Sequence, residues 1–253
     1  MDRSKQSRLS SSHHSASKSE MNYLLTLFII FSCAAISCKN GNAGYESFYT
    51  SFEGEDPFAG WQNDQHCCEY SVQQSTEQKT DGNSSLRLEV RQTDPLTSRA
   101  IRAELVKEPE PMDVERNYSF NMFLQDWKHD NAGESVFQWH PGNFTGTATA
   151  SLWTSGGRYV FQTNTGAQNY YIDLGPIISD RWVNWKITLK WSTDTSGYIK
   201  LWKNGDLMID RKKIITAPPE GCYFKIGINK FGWGIQPSSV DRRVLYFDDV
   251  RIE

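Results

Sequence analysis

The C-terminal segment 223–230 alternates between apolar and polar residues in the way that a β-strand does. Read as a strand, it places three apolar side chains on one face. Tyr223, Lys225 and Asn229 lie on the opposite face. The segment therefore predicts a strand with one face in a hydrophobic core and one polar face.

Two earlier segments show the same pattern. Arg102 and Glu104 lie two residues apart in one of them, and Gln138 and His140 lie two residues apart in the other. If all three segments are strands of one sheet, their polar side chains converge on one concave surface. We expect any functional site to lie there.

Short alternating segments bounded by Gly and Pro turns recur along the rest of the chain. Asn204-Gly205 predicts a two-residue hairpin, because both residue types tolerate positive φ. No segment shows the period of a long capped helix. The pattern favours one all-β domain over residues 45–253, a two-sheet β-sandwich of the concanavalin-like jelly-roll type. The strands are predicted at 45–53, 85–91, 99–106, 117–126, 134–140, 148–153, 158–163, 182–191, 198–202, 206–211, 222–230 and 243–252.

The composition fits this fold class and excludes one class of partner. With 253 residues, 13% aromatic residues and a mean hydropathy of −0.59, the chain suits one larger soluble domain. Without residues 1–37 it keeps 23 basic and 28 acidic residues. A net-acidic protein does not attract a polyanion by its overall field, so an anionic ligand must meet a local basic patch. We expect no nucleic-acid binding.

The N-terminus predicts export from the cytoplasm. Residues 1–20 have a disorder-prone composition, and an apolar run over 24–36 is too short to span a bilayer comfortably. The run closes on Ala-Ile-Ser before Cys38, which resembles the lipobox of a bacterial lipoprotein. The resemblance implies a leader over 1–38, lipidation of the Cys38 thiol, a tether over 39–44 and a membrane anchor in the bacterial cell envelope. An ordinary signal peptide and a secreted protein are the alternative.

Three cysteines follow the leader: Cys67, Cys68 and Cys222. In an oxidising compartment one of the adjacent pair can bridge to Cys222 and leave the other free. The sequence does not say which one. The spacing does not fit a zinc site.

Three motifs, taken in order, resemble the signature segments of alginate lyases of polysaccharide lyase family 7. They are Arg-Ala-Glu-Leu at 102–105, Gln-Trp-His at 138–140 and Tyr-Phe-Lys-Ile-Gly at 223–227. The domain also resembles the wider group of jelly-roll lyases, which includes glucuronan lyases, heparin lyase I and ulvan lyases. The resemblance implies a monomeric lyase without a catalytic cofactor that cleaves an anionic uronate polysaccharide of the ulvan, alginate, glucuronan or heparin type by β-elimination.

This chemistry explains the residue types. Removal of the C5 proton of a uronic acid requires that its carboxylate be neutralised. Arg102 offers a bidentate guanidinium and Gln138 an amide donor. His140 titrates near neutrality and is the expected base. The expected substrate-binding residues are Lys225, Asn229, Tyr223, Trp139 and Lys230.

One position departs from the family pattern. The tyrosine that serves as the acid in the resembled family falls on Asn229, and an amide cannot transfer a proton at neutral pH. Three alternatives stay open: His140 acts with water, another side chain serves as the acid, or the domain no longer catalyses. The side-chain candidates are Tyr223, Lys225, Lys230, Tyr159, Tyr170 and Tyr171. Tyr223 lies six residues from Asn229, about 20 Å along a strand, so it is a poor direct substitute.

The resemblance also implies a structural calcium ion between the first and last strands. Glu53, with Asp248 or Asp249, supplies hard oxygen ligands for it. A slight preference for a sulfated or algal polymer follows from basic residues available for sulfate contacts. These are Arg99, Lys230, Arg242 and Arg243.

Two other functions compete with the lyase hypothesis. A non-catalytic carbohydrate-binding module of the same fold is supported by Asn229 and by tryptophans that can stack on sugars. A glycoside hydrolase is disfavoured, because no Glu-x-Asp-x-x-Glu run supplies the paired carboxylates of that architecture.

Overall fold

Two antiparallel sheets face each other in the computed structural model, which describes residues 46–143, 146–165 and 169–253. The predicted leader and tether lie outside the described residues. The strands are β1 Phe48–Thr50, β2 Asn63–Gln65, β3 Val72–Ser75, β4 Ser85–Arg91, β5 Arg102–Pro109, β6 Glu115–Gln125, β7 Glu134–Pro141, β8 Ala150–Ser155, β9 Arg158–Asn164, β10 Asn169–Pro176, β11 Trp182–Lys190, β12 Gly197–Lys203, β13 Asp206–Ile214, β14 Cys222–Asn229 and β15 Arg242–Ile252.

The sequence pattern finds most of these strands, and the two-sheet jelly-roll prediction is confirmed. Asn204 and Gly205 have φ values of 51° and 87° and connect β12 to β13, so the predicted hairpin is confirmed. The sequence pattern does not predict strands β2, β3 and β10. They are short or largely solvent-exposed. Pairing with a neighbouring strand, rather than an apolar alternation in the sequence, defines them as strands.

The three motif-bearing strands are neighbours in one sheet. Over the described residues its order is β10-β9-β8-β7-β14-β5-β2, so β14 lies between β7 and β5. The other sheet has the order β13-β12-β11-β6-β15-β4-β3, with β1 paired to β15. The predicted convergence of the three motifs is thus a direct result of strand order.

The core fills the space between the two sheets. Phe224, Ile226 and Ile228 of β14 are fully buried in it, as the alternation predicts. Phe120 of β6 packs edge-on against Phe137 of β7, with ring centroids 5.0 Å apart. Aromatic contacts of this kind hold the back of the motif-bearing sheet in place.

Gly227 permits close contact between β14 and β5. Its φ is 132°, and a Cβ atom at this position would lie 2.1 Å from the backbone oxygen of Ala103. The register of β14 against β7 shifts between Ile226 and Asn229. Only glycine fits at this position. Lys225 and Asn229, two residues to either side of Gly227, share the polar face by strand alternation.

The cysteine pairing differs from the prediction. Cys67 and Cys68 are bonded to each other, and Cys222 is a buried free thiol, so the expected bridge to Cys222 is wrong. Cys222 is the first residue of β14, and its side chain is buried in the core. Burial raises the pKa of its thiol to about 12, which keeps it protonated.

Helical structure is scarce in the described ranges. The two helices there are 3-10 turns, Glu69–Ser71 and Phe231–Gly234. Neither has the length or apolar character needed to cross a bilayer.

Candidate active site

Strand register places the predicted residues side by side. Tyr223 lies opposite His140, and Lys225 lies opposite Gln138, across the β14–β7 pairing. On the other edge of β14, Asn229 lies opposite Arg102 of β5. We call the face of this sheet that carries these side chains the groove.

Glu104 connects the charged groups beneath the groove. Its Oε1 accepts a hydrogen bond from Gln138 Nε2 at 2.5 Å, and its Oε2 accepts one from Lys225 Nζ at 2.7 Å. Arg102 Nη1 lies 3.2 Å from the same Oε2. Gln65 Oε1 accepts from Lys225 and Arg102 at 2.8 and 3.1 Å. One carboxylate thus fixes three of the predicted site residues.

Glu104 and Gln65 are absent from the predicted site. Glu104 stands in the Arg-x-Glu-Leu motif, but from sequence it reads equally well as a solvated ion-pair partner of Arg102. Its 1% exposure shows that it is a buried anchor instead. Gln65 lies in a three-residue strand with no alternation, so only its pairing with β5 gives it a place here.

His140 is suited to act as a base. Burial lowers the pKa of its imidazole, and the positive charge of Lys225 lowers it further. The backbone of Pro141 and the negative charge of Glu104 oppose this shift without cancelling it. The imidazole is therefore neutral at pH 7 and can accept a proton.

Unsatisfied polar atoms border a cavity of about 270 Å³ in the groove. Arg102, Gln138, His140 and Asn229 line one side of it, and Trp153 lines the other. Among the described residues, Arg102 Nε and Asn229 Oδ1 are buried without a hydrogen-bond partner. A buried donor and acceptor of this kind need a ligand or water to satisfy them.

The ring of Tyr223 packs beside the imidazole of His140. The centroids of the two rings are 5.5 Å apart. Burial, together with the charge of Glu104, raises the pKa of the Tyr223 phenol to about 12, so the phenol keeps its proton at neutral pH. Tyr223 thus lies next to the expected base, although it does not occupy the position of Asn229.

Two of the predicted substrate-binding residues lie away from the groove. Trp139 is fully buried in the core, where its ring contacts Trp191 and Phe224. Lys230 is buried too, and its Nζ contacts Asp130 and Glu134. Strand alternation turns Trp139 inward, and the ion pairs hold Lys230, so neither side chain reaches a ligand in the groove.

The alternative proton donors are also displaced. Tyr159 packs in the core 5.3 Å from Trp185, and its burial raises the pKa of its phenol. Tyr171 is on the groove face but three strands from Gln138, or about 14 Å at the usual strand spacing. Tyr170 stacks beneath the guanidinium of Arg211.

Most of the basic residues expected to bind sulfate already form ion pairs with carboxylates of the protein. Arg243 is 2% exposed and lies 3.2 Å from Glu134. Arg242 lies 3.1 Å from Glu89 on the opposite sheet. Arg99 is exposed, beside Phe231, at the β5 end of the groove. The preference for a sulfated polymer therefore loses most of its support.

The carboxylates expected to hold calcium already accept hydrogen bonds. Glu53 Oε1 accepts from the backbone N–H groups of Asn83 and Ser84 at 2.7 and 2.8 Å. Asp249 accepts from Tyr49 at 2.9 Å and from Asn121 at 3.3 Å. Hydrogens that point at these oxygens do not favour a cation. The calcium ion stays a prediction.

Comparison with known proteins identifies the family and the fold of the chain. A family model described as polysaccharide lyase matches residues 49–251. An endo-β-1,4-glucuronan lyase from the fungus Trichoderma reesei has a similar structure, with a TM-score of 0.68 and 18% identity over 81% of this chain and 94% of that chain. No curated protein sequence matches the chain.

Two further solved structures share the fold. For the cellulose-induced protein Cip1 the TM-score is 0.57 at 12% identity, over 81% of this chain and 96% of that chain. For an alginate lyase from Corynebacterium sp. it is 0.55 at 13% identity, over 74% of this chain and 82% of that chain. The family match spans nearly the whole sandwich and all three motifs, and the chain therefore belongs to the polysaccharide lyase family.

Proposed function

We propose that this chain cleaves a uronate-containing polysaccharide by β-elimination in the groove. The observation that carries the proposal is the convergence of Arg102, Gln138 and His140 on one cavity. A guanidinium and an amide that lie close together can bind a carboxylate. A neutral imidazole beside them can remove the proton from the carbon that carries this carboxylate.

In the proposed reaction, Arg102 Nε and the second N–H of Gln138 bind the uronate carboxylate. Their hydrogen bonds stabilise the negative charge that develops as the C5 proton leaves. His140 takes that proton, and the C5–H electrons form the C4–C5 double bond. The bond from C4 to the glycosidic oxygen then breaks.

The leaving oxygen needs a proton, and Tyr223 is the proposed donor. Its phenol is protonated at neutral pH and lies beside His140. After the reaction the phenolate recovers a proton from His140, so both groups return to their starting states. Asn229 holds the substrate through its amide and transfers no proton.

Measurement of ultraviolet absorbance tests the proposal, because only elimination creates the conjugated unsaturated uronate. The purified protein is mixed in turn with alginate, glucuronan, ulvan and heparin. A rise in absorbance with one polymer that disappears in His140→Ala supports the proposal. A reducing-end increase without the absorbance would indicate hydrolysis and contradict it.

The alternative is a carbohydrate-binding module, and Asn229 is the feature that favours it. An amide stands where the resembled family has its acid. Binding of one polymer by the purified protein, with no change in absorbance, would favour this alternative over the lyase.

A further inference from the structure

One half of the groove is almost free of charge. Residues 141–172 contain a single charged side chain, Arg158, whereas 23% of the whole chain is charged. This stretch supplies β8, β9 and the start of β10, on the side of β7 away from β14. We call the groove face of these three strands the uncharged half.

The charge of Arg158 is compensated within the same face. Its Nε donates to Asp173 Oδ2 at 2.8 Å, and both side chains are about half exposed. An anionic ligand would therefore have to compete with Asp173 for the guanidinium. The uncharged half presents no unpaired cation among the described residues.

Amide and hydroxyl groups form the floor of the uncharged half. Leu152 and Phe161 belong to the core, so strand alternation places Ser151 and Gln162 on the groove face. Both are buried, and in the described ranges Ser151 Oγ and Gln162 Oε1 have no hydrogen-bond partner. Such neutral groups are suited to hydroxyl groups and ordered water rather than to an anion.

Aromatic rings form the wall. Trp153 lines the cavity opposite the carboxylate-binding residues, and its ring lies 5.0 Å from Phe231. Tyr171 lies 6.3 Å from Trp153 and is 63% exposed. Amphipathic aromatic surfaces of this kind suit the C–H face of a pyranose ring, with its hydroxyls directed to polar groups.

We call the groove face of β5, β14 and β7 the charged half, and its charges can compensate one anionic group. Glu104 opposes the charges of Lys225 and Arg102, which leaves one net positive charge in this cluster. The carboxylate of one uronate compensates that charge. A second anion on the uncharged half would lose water and gain no counter-charge, which is unfavourable.

We propose that the uncharged half binds an uncharged sugar residue next to the uronate. The substrate would then be a heteropolysaccharide in which a neutral, unsulfated sugar adjoins each cleaved uronate. This inference rests on the proposed lyase function and narrows its substrate class. It also reverses the preference for a sulfated polymer that the sequence suggests.

Three polymers separate the alternatives. They are ulvan, in which uronate adjoins a sulfated neutral sugar, the same ulvan after solvolytic desulfation, and glucuronan, in which every sugar is a uronate. We expect kcat/KM for elimination to be higher on desulfated ulvan than on the other two by about tenfold or more, because an unpaired anion pays its desolvation cost. Equal or faster cleavage of sulfated ulvan or glucuronan would overturn the inference and leave the lyase proposal intact.

Two substitutions test whether the uncharged half causes the preference for the desulfated polymer. Gln162→Lys places a cation on its floor and should shift the rate ratio towards the sulfated polymer and glucuronan. Tyr171→Lys does the same at a position 63% exposed, where folding is not at risk. Leu207→Lys, on exposed β13 of the other sheet, is the matched control and should leave the ratio unchanged. An unchanged ratio in both groove variants would contradict the proposal.

If none of the three polymers gives the unsaturated product, the lyase proposal fails and binding tests the inference alone. Intrinsic tryptophan fluorescence then reports the affinity for oligosaccharides prepared from each polymer. Tighter binding of the desulfated heteropolymer supports the inference. Equal affinity for all three, or no binding, overturns it.

Discussion

Glu104 and Lys225 form an ion pair beneath the groove, with Lys225 Nζ 2.7 Å from Glu104 Oε2 and each side chain 1% exposed. Gln138 and Arg102 contact the same carboxylate. Because the pair is buried away from solvent, each charge depends on the other for compensation. The stability of this sheet and the geometry of the site are therefore linked.

Replacement of Glu104 should destabilise the protein strongly. Glu104→Ala leaves Lys225 and Arg102 as neighbouring buried cations, so we expect the free energy of unfolding to fall by about 3–5 kcal/mol. Urea denaturation measures this change. Glu108→Ala, at an exposed position of the same strand, is the control and should change stability by less than about 0.5 kcal/mol. Similar small losses in both variants would contradict the role of Glu104.

Activity should decline in acid as His140 gains a proton. Burial and Lys225 lower the pKa of His140, so the midpoint in the pH profile of kcat/KM should lie below the usual value of about 6.5. Lys225→Met removes a positive charge and should move this midpoint to higher pH. His129→Asn, at an exposed histidine, should leave the profile unchanged. A midpoint above 6.5 in the unmodified protein would exclude His140 as the base.

Loss of the Tyr223 hydroxyl should slow the reaction without loss of binding. Tyr223→Phe keeps the ring but removes the proton donor, so we expect kcat to fall by about 10²–10⁴ with little change in KM. Initial rates from ultraviolet absorbance measure this. Tyr171→Phe removes a hydroxyl three strands from Gln138 and should retain kcat. Full activity in Tyr223→Phe would indicate that His140 and water supply the proton.

Lys230 should act on stability rather than on turnover. Its Nζ is fully buried and lies 2.7 Å from Asp130, with Glu134 also in contact. Lys230→Met leaves two buried carboxylates short of one cation, and we expect a loss of about 3–5 kcal/mol in unfolding free energy. The kcat of the folded protein should not change. Lys212→Met, at an exposed lysine, is the control, and an increase in KM confined to Lys230→Met would restore the substrate-binding role.

The disulfide between neighbouring cysteines can be checked by peptide mass. A proteolytic peptide that contains both Cys67 and Cys68 should be lighter by two hydrogens before reduction. Cys222→Ala should leave this difference unchanged, since Cys222 takes no part in the bond. A cross-linked peptide that contains Cys222 would support the pairing predicted from the sequence instead.

The sequence by itself determined the fold class and three of the polar residues that line the groove, namely Arg102, Gln138 and His140. Alternation with period two depends only on neighbouring residues, so it predicted the inward-facing Phe224 and the outward-facing Lys225 correctly. The order of the three motifs also indicated the family that the match confirms. The Asn-Gly hairpin belongs to the same class of local signals.

Only the tertiary structure decided which polar residues share a site. Glu104 is an anchor because Gln138 and Lys225 reach it from other strands, and Lys230 is structural because Asp130 and Glu134 surround it. These contacts join residues far apart in the chain, and no local pattern encodes them. Strand order depends on how the whole core packs. It also placed the charged half of the groove next to the uncharged half.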